Sequence, residues 1–324
     1  MSYPDKLWKA FTANAVTNSS DMAVCIPVGI EGTKSRNYVC RLWDGVYLWG
    51  NEIYEHFIPE SLCRIWHLNI AAVNLCIDGR CETALENDTF VYMSPGLLNI
   101  NTNAPKEGYS YPGNHYVGLE IAFDLDVLKQ SEPACLKDLG LGLDFLAGTI
   151  KKGRGSLMAE VGESAMAQAE HMYNSLKSDC LSLEEHRFET VSLLYALTHG
   201  GAEEVKGIQY ATKGQRHIAN EVERRITSDL SKKITVEELA GDYGISPSAL
   251  KKYFDMIYGM PISHYLKVKR MDRAKQLLSE TRLTVKDIAS ICGYENQGKF
   301  GTAFKAYIGM LPLEYRRQNY TGGV

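Results

Sequence analysis

The sequence predicts an α+β chain: a β-rich N-terminal barrel or sandwich, a helical linker region, and an all-α C-terminal domain of two tandem helix-turn-helix units. Three observations carry that prediction. Short runs rich in Val, Ile, Tyr and Trp alternate with turn signals over the first 150 residues. Paired helix-start and helix-stop signals occur twice, in the same order, near the C-terminus. Charge is divided unevenly between the two parts. The predicted boundaries are 1–150 for the β-rich domain, 151–212 for the helical linker and possible dimerisation region, 213–318 for the helix-turn-helix domain, and 319–324 for a tail.

The candidate strands are 39–42, 45–55, 62–68, 71–77, 81–85, 89–93, 97–101 and 116–123. Asp78-Gly79 between two apolar runs predicts a hairpin. Pro95-Gly96 and Pro112-Gly113 mark further turns. Regular short strands of this kind suggest a sandwich or an open barrel.

Residues 156–200 read as helical. Leu157, Val161, Ala165, Ala169, Met172 and Leu176 fall on one stripe. Ser182 with Glu185 forms a capping box. It opens a helix expected to turn Phe188, Val191, Leu194 and Tyr195 inward. Such a pair can pack on the barrel or against a second subunit. Gly200-Gly201 and the stretch to Gln215 read as a linker. From Gln215, Ile218, Val222, Ile226 and Leu230 mark an amphipathic helix.

The first helix-turn-helix unit occupies 234–259. Thr235 followed three residues later by Glu238 starts a helix, and Gly244 ends it, since glycine enters a left-handed turn without steric cost. Ser246 caps the next helix and Pro247 suits its first position, where no backbone donor is needed. Leu250, Phe254 and Ile257 lie on its inner face; Ser248, Lys252 and Asp255 lie opposite, with Lys251 at the edge. The second unit repeats the order. Thr284 and Asp287 start a helix whose buried side is Ile288, Ala289 and Ile291, and Gly293 ends it. Asn296 caps a helix with Phe300, Phe304 and Tyr307 inward and Gly298, Thr302 and Lys305 outward. Gly309 and Pro312 stop it, and a short final turn follows at 313–316. Residues 261–280 join the units as a helix of roughly 18 residues, about 27 Å long at 1.5 Å per residue. Successive major grooves on one face of DNA lie about 34 Å apart, so two recognition helices on this connector match two neighbouring grooves.

The charge agrees with a nucleic-acid partner for one part only. Residues 213–318 hold 19 basic and 12 acidic residues, a surplus of seven positive, while the chain as a whole carries −4. The remainder is left with 16 basic and 27 acidic residues. Eight cysteines, at 25, 40, 63, 76, 81, 135, 180 and 292, form no CxxC pair. Cys76 and Cys81 are either a redox or metal pair or two ordinary strand cysteines. No signal peptide and no apolar run near 18 residues is present, so the chain is expected to be cytoplasmic, with reduced thiols and no membrane partner. Catalysis is not expected: no Walker loop, GxSxG or HExxH occurs, and His67 has Asn69 where a metal-binding barrel would place a second His. No metal and no cofactor are predicted.

The C-terminal stretch 215–318, about a third of the chain, resembles the AraC/XylS-type transcription regulators. The matching residues are Ile288-Ala289, Gly293-Tyr294, Phe300, Ala303-Phe304-Lys305, Gly309, Pro312 and Tyr315-Arg316. The resemblance implies that the helices beginning near Pro247 and Gln297 contact double-stranded promoter DNA. Ser248, Lys251 and Lys252 match the exposed positions of the first recognition helix; Gln297, Lys299, Thr302 and Lys305 match those of the second. Gly298, Gly301 and Thr302 depart from the family pattern, the first two where a small polar residue is usual and the third where Arg is common. Each glycine costs roughly 1 kcal/mol in a helix relative to Ala. The first helix is therefore expected to give more of the specificity, and the second to set on DNA.

Regulators of this family often carry a cupin-like N-terminal barrel, which the strand pattern fits. Its dense aromatics together suggest a small-molecule effector pocket, with Trp43, Trp49, Trp66, His67, Tyr92, Tyr111 and His115 as candidate contacts, although any single one of them is more often a core or strand-surface residue. The whole chain loosely resembles one branch, the siderophore-responsive pyochelin-type (PchR-like) regulators, which implies a small-molecule effector such as a ferric chelate. The expected protein is thus an effector-controlled, sequence-specific DNA-binding regulator, in the family's commoner mode an activator that contacts RNA polymerase, acting as a homodimer. The alternative is a ligand-binding cupin-like or carbohydrate-active protein whose helical C-terminal part mediates protein contacts.

Overall fold

A computed structural model describes residues 8–9, 12, 15, 17–20, 23–29, 32–59, 69–84, 88–102, 108–152, 156–205 and 208–321. The candidate strand 62–68, with Trp66 and His67, lies outside them. The chain divides into two compact units, Met1–Tyr210 and Ala211–Val324. Among the described residues no helix is long and apolar enough to cross a membrane.

The first unit carries strands β1 (Thr17–Ser20), β2 (Ala23–Pro27), β3 (Arg36–Trp43), β4 (Val46–Ile53), β5 (Phe57–Pro59), β6 (Ile70–Gly79), β7 (Cys81–Ala84), β8 (Thr89–Met93), β9 (Leu97–Asn101), β10 (Gly108–Ser110), β11 (Tyr116–Asp124), β12 (Ser156–Val161) and β13 (Ala202–Glu204). Its helices are α1 (Leu125–Leu128), α2 (Ala134–Asp138), α3 (Leu143–Lys152), α4 (Glu163–Ser178) and α5 (Leu183–Thr198). One sheet runs β1-β2-β3-β4-β11-β6-β9-β12-β13. A second places β8, β7, β10 and β5 side by side.

Strand alternation gives the large sheet two different faces. Leu48, Val73, Leu75, Leu98, Ile100, Leu119 and Ile121 share one buried core with Ala169, Met172, Leu193 and Leu197 of α4 and α5. The opposite face meets the second sheet: Ile53, Cys76 and Tyr116 from the first join Ile58, Cys81, Val91 and Met93 from the second.

Several expectations change here. Leu157 and Val161 belong to β12, not to a helix, because 156–160 pairs with β9 from Asn101 back to Leu97. The helix expected over this stretch starts at Glu163. The presumed linker after Gly201 contributes β13, which pairs with β12. Asp78-Gly79 forms no hairpin: both residues end β6, paired with Val117 and Tyr116 of β11, and β6 and β7 lie in different sheets. Gly79, at φ +75°, sits where the chain passes from one sheet to the other, and a Cβ there would collide with the His115 carbonyl oxygen. On α5, Phe188 and Tyr195 face solvent at 74% and 48% exposure, while Leu194 is buried.

Candidate nucleic-acid interface

The second unit contains α6 (Lys213–Ser228), α7 (Val236–Gly241), α8 (Pro247–Tyr258), α9 (Ile262–Glu280), α10 (Val285–Ile291), α11 (Gln297–Ile308) and α12 (Pro312–Asn319). The local signals act as read. Thr235 with Glu238 and Thr284 with Asp287 are reciprocal capping boxes at the starts of α7 and α10. Thr212 with Gln215 does the same for α6, two residues before the predicted start. The Ser246 hydroxyl accepts the Ala249 N–H at 3.2 Å, and the Asn296 Oδ1 accepts those of Gly298 and Lys299 at 2.7 and 3.3 Å. Both recognition helices, α8 and α11, span twelve residues and end on a left-handed glycine, Gly259 and Gly309. Gly298 and Gly301 lie within a continuous helix.

Each recognition helix is held from behind. Leu250, Phe254, Ile257 and Tyr258 bury the inner face of α8. Phe254 stacks on Tyr258 at 4.4 Å and meets Tyr265 of α9 edge-on at 5.4 Å. The Tyr258 hydroxyl donates to Asn220 Oδ1 at 3.0 Å and the Tyr265 hydroxyl to Glu223 Oε1 at 2.9 Å, so α6 braces both. Burial, reinforced by Glu223, holds the Tyr265 phenol far above its usual range. Burial also lowers the Lys269 ammonium, which sits 5.1 Å over the Tyr265 ring. Behind α11, Phe300 and Phe304 pack with Met271, Leu278, Ile288 and Cys292. Burial pushes the Cys292 thiol up to about 11.

Two residues expected inward on this unit face out. Ile291 is 39% and Tyr307 41% exposed. Tyr307 instead sends its hydroxyl to Asp272 Oδ1 at 3.3 Å. The predicted final turn is a two-turn helix, α12, anchored by Arg316 Nη2 donating to the Leu283 carbonyl at 2.6 Å.

All seven candidate DNA-contacting residues, Ser248, Lys251, Lys252, Gln297, Lys299, Thr302 and Lys305, are exposed. Ser248 shares a hydrogen bond with Ser246, and Thr302 back-bonds to the Gly298 carbonyl at 3.1 Å. Asp255 is exposed on the same helix as Lys251 and Lys252.

The described effector candidates of the first unit do not converge. Trp43 packs against the helix-side core beneath Arg187, 5.4 Å from its ring. Trp49 lies in a separate cluster with Val39 and Tyr47. Tyr111 lies between the sheets, its ring centre 5.4 Å from that of Tyr116. His115 Nε2 meets Asp78 Oδ2 at 2.8 Å near the surface. Tyr92 donates to Glu82 at 2.8 Å. Cys76 and Cys81 are both buried between the sheets, and burial pushes the first up to about 12 and the second well above the ordinary thiol range. Sequence reasoning missed the polar residues of the large sheet's inner face, Asn51, Asn74, Asn99 and Glu120. No local signal marks them, because the row exists only once β11, β6 and β9 are in register.

Two helix-turn-helix units on one connecting helix define a DNA-binding transcription regulator. A helix-turn-helix domain model matches residues 239–318. The activator AarP of Providencia stuartii is 32% identical over 105 residues, 32% of this chain and 78% of that protein. The activator RhaR of Klebsiella pneumoniae is 29% identical over 202 residues, 60% of this chain and 70% of that protein. The C-terminal domain of AraT, a response regulator from Geobacillus stearothermophilus, is 33% identical over 32% of this chain and 86% of that one, with a TM-score of 0.31. The chain belongs to the AraC-type family of helix-turn-helix transcription regulators.

Proposed function

We propose that this regulator is an activator that reads its promoter through the outward faces of α8 and α11 and is controlled by a small-molecule effector in the first unit. One observation carries the DNA-reading part. Lys251, Lys252, Gln297, Lys299 and Lys305 are exposed on helices whose other faces are filled by core, and no hydrogen bond or ion pair to another described residue occupies their side chains. Such side chains are available for phosphate and base edges. The surplus of seven positive charges on 213–318 supplies the attraction. AarP and RhaR are transcriptional activators, and activation comes to this chain by kinship. A homodimer that contacts RNA polymerase completes the reading.

The test is footprinting on the upstream DNA of the regulator's target. Lys252→Ala combined with Lys299→Ala removes one cation from each reader and touches no core residue. Loss of protection with an unchanged circular dichroism spectrum supports the assignment. Full protection by the double variant sinks it.

A further inference from the structure

Ser248, Lys251, Lys252 and Asp255 are all exposed on α8. They stand at i, i+3, i+4 and i+7, which places them on one side of the helix. Leu250, Phe254, Ile257 and Tyr258 fill the other side with core. Recognition helices that lie along a major groove read bases from positions at this same spacing. Asp255 is the one acid in the set. Electrostatics alone would keep it out, because a carboxylate is repelled by the phosphates that flank the groove.

The fold gives Asp255 no reason to be acidic. It opens the last turn of α8, its carbonyl accepting the Gly259 N–H, and the helix dipole disfavours negative charge at that end. Lys251 and Lys252 precede it by four and three residues. That is within reach of an ion pair across one turn, but with the cation on the N-terminal side, the weaker order. Among the described residues neither lysine pairs with it, and no other hydrogen bond or ion pair reaches its carboxylate. Residues 208–321 are all described, so no neighbour within this unit's helices is left out.

We infer that Asp255 is the base-reading acid of the first recognition helix and selects cytosine. The inference rests on the DNA-reading assignment above and names what this helix recognises. A carboxylate only accepts hydrogen bonds. In the major groove the donors are the amino groups of cytosine and adenine, while guanine and thymine present acceptors. Adenine sets N7, an acceptor, beside its amino group, so a carboxylate there meets a second lone pair. The neighbour of the cytosine amino group is a ring C–H, which offers no such repulsion. Lys251 and Lys252, one turn back on the same side, hold adjacent phosphates and offset the charge of Asp255. Asp255 lies about 10 Å along the helix axis from Ser248, about three base pairs at roughly 3.4 Å each. The cytosine is therefore expected about three pairs from the base that Ser248 faces.

The test is selection of binding sites from a randomised duplex library by the full chain, by Asp255→Asn and by Asp255→Ala. Duplexes carrying each of the four bases at the affected position are then titrated. The parent is expected to favour cytosine there by about tenfold, the worth of one good base contact. The Asn variant is expected to move that preference to adenine, whose N6 and N7 match an amide, and to keep every other position. The Ala variant is expected to lose the preference, binding the cytosine duplex more weakly and the guanine and thymine duplexes more tightly than the parent. Neither change touches core, so both variants should keep the parent's dichroism spectrum, and the Ala variant should melt no lower than the parent. A parent motif that both variants reproduce unchanged overturns the cytosine assignment and leaves the DNA-reading assignment standing. An Ala variant that binds all four duplexes more tightly by one common factor overturns it too, since Asp255 would then be a repulsive charge and nothing more. A parent that selects no motif removes the DNA-reading assignment, and the cytosine assignment with it.

Discussion

The guanidinium of Arg270, on the helix joining the two DNA-reading units, donates from Nε to the carbonyl of Leu230 at 2.9 Å. Its Nη2 reaches the Lys232 carbonyl at 3.3 Å. Arg270 thereby ties the connector to the segment preceding α7. The same guanidinium borders the turn of the second unit: a Cβ on Gly293 would lie 2.5 Å from Arg270 Nη2 and 2.4 Å from the Leu230 oxygen. Gly293 also holds φ at +75°. One arginine therefore fixes the place where the loop before the first unit and the turn of the second come together.

Two substitutions are expected to weaken this junction. Arg270→Ala strands two carbonyl acceptors and should cost about 2 kcal/mol. Gly293→Ala adds a collision to a left-handed backbone and should cost at least as much. All four tryptophans lie in 1–210, so fluorescence follows the first unit alone. Urea unfolding followed by far-ultraviolet circular dichroism should show the helical transition moving to lower denaturant, with the fluorescence transition unmoved. Unchanged dichroism for both variants would remove the junction from the account.

Salt dependence separates the lysines from the polar readers. If Lys251, Lys252, Lys299 and Lys305 meet phosphates, each Ala substitution should reduce the slope of log affinity against log salt by about 1 and weaken all sequences alike. Gln297→Ala should instead relax preference at one base pair and leave the slope unchanged. Equilibrium binding at four salt concentrations distinguishes the two behaviours.

The features that sequence made legible are those set within one helical turn. Capping boxes at Thr235 and Thr284, the Ser246 cap and the glycine stops depend on neighbours three or four residues away, and all are in place. What depends on distant pairing was not legible. Leu157 and Val161 fit a helical stripe as well as a strand, and only the partner β9, more than fifty residues earlier, decides for the strand. At Asp78-Gly79 the hairpin expectation failed, because which strand each arm pairs with lies outside the dipeptide. Phe188, Tyr195, Ile291 and Tyr307 follow an apolar period and still face out, because a period gives the spacing of a face and not its edge. For the candidate sites, the exposed lysines of α8 and α11 could be read from the helical pattern. The inner polar row could not, since Asn74, Asn99 and Glu120 come from three strands brought into register by the fold.

Glu120 makes the first unit pH-sensitive. Burial raises its folded pKa to about 7 from an ordinary 4.5, with the Asn51 hydrogen bond acting the other way. The folded state then binds the proton more tightly than the unfolded chain. Stability is undiminished below about pH 4.5, falls as pH rises toward 7, and levels off above it. At 1.36 kcal/mol per unit the loss is on the order of 3 kcal/mol. The neighbouring Cys76, Cys81 and Tyr116 are all held far above this window by burial and stay protonated through it; among the described residues Glu82 is the other carboxyl lining the small cavity beside Glu120. Glu120→Gln should flatten the fluorescence-monitored stability between pH 5 and 8 and be more stable than the parent above pH 7. A parent profile that is already flat would contradict the enclosed carboxylate.

Gly301 gives the most direct test of whether the second reader is soft. A Cβ there would meet nothing within 4 Å, and its backbone is not left-handed, so no contact within the protein requires glycine. Gly301→Ala should therefore stabilise the helical unit by roughly 0.5–1 kcal/mol. Gly298 is the internal control: its added Cβ would press at 3.0 Å on Asn296 Oδ1, the cap acceptor, so its Ala variant should gain less. If α11 must be ordered when DNA arrives, the gain at Gly301 removes part of that cost, and operator affinity should rise about two- to fivefold. Higher melting temperature with lower affinity would mean that DNA approaches the helix at this residue too closely for a methyl group. The glycine would then be part of the contact surface and not a weakness in it.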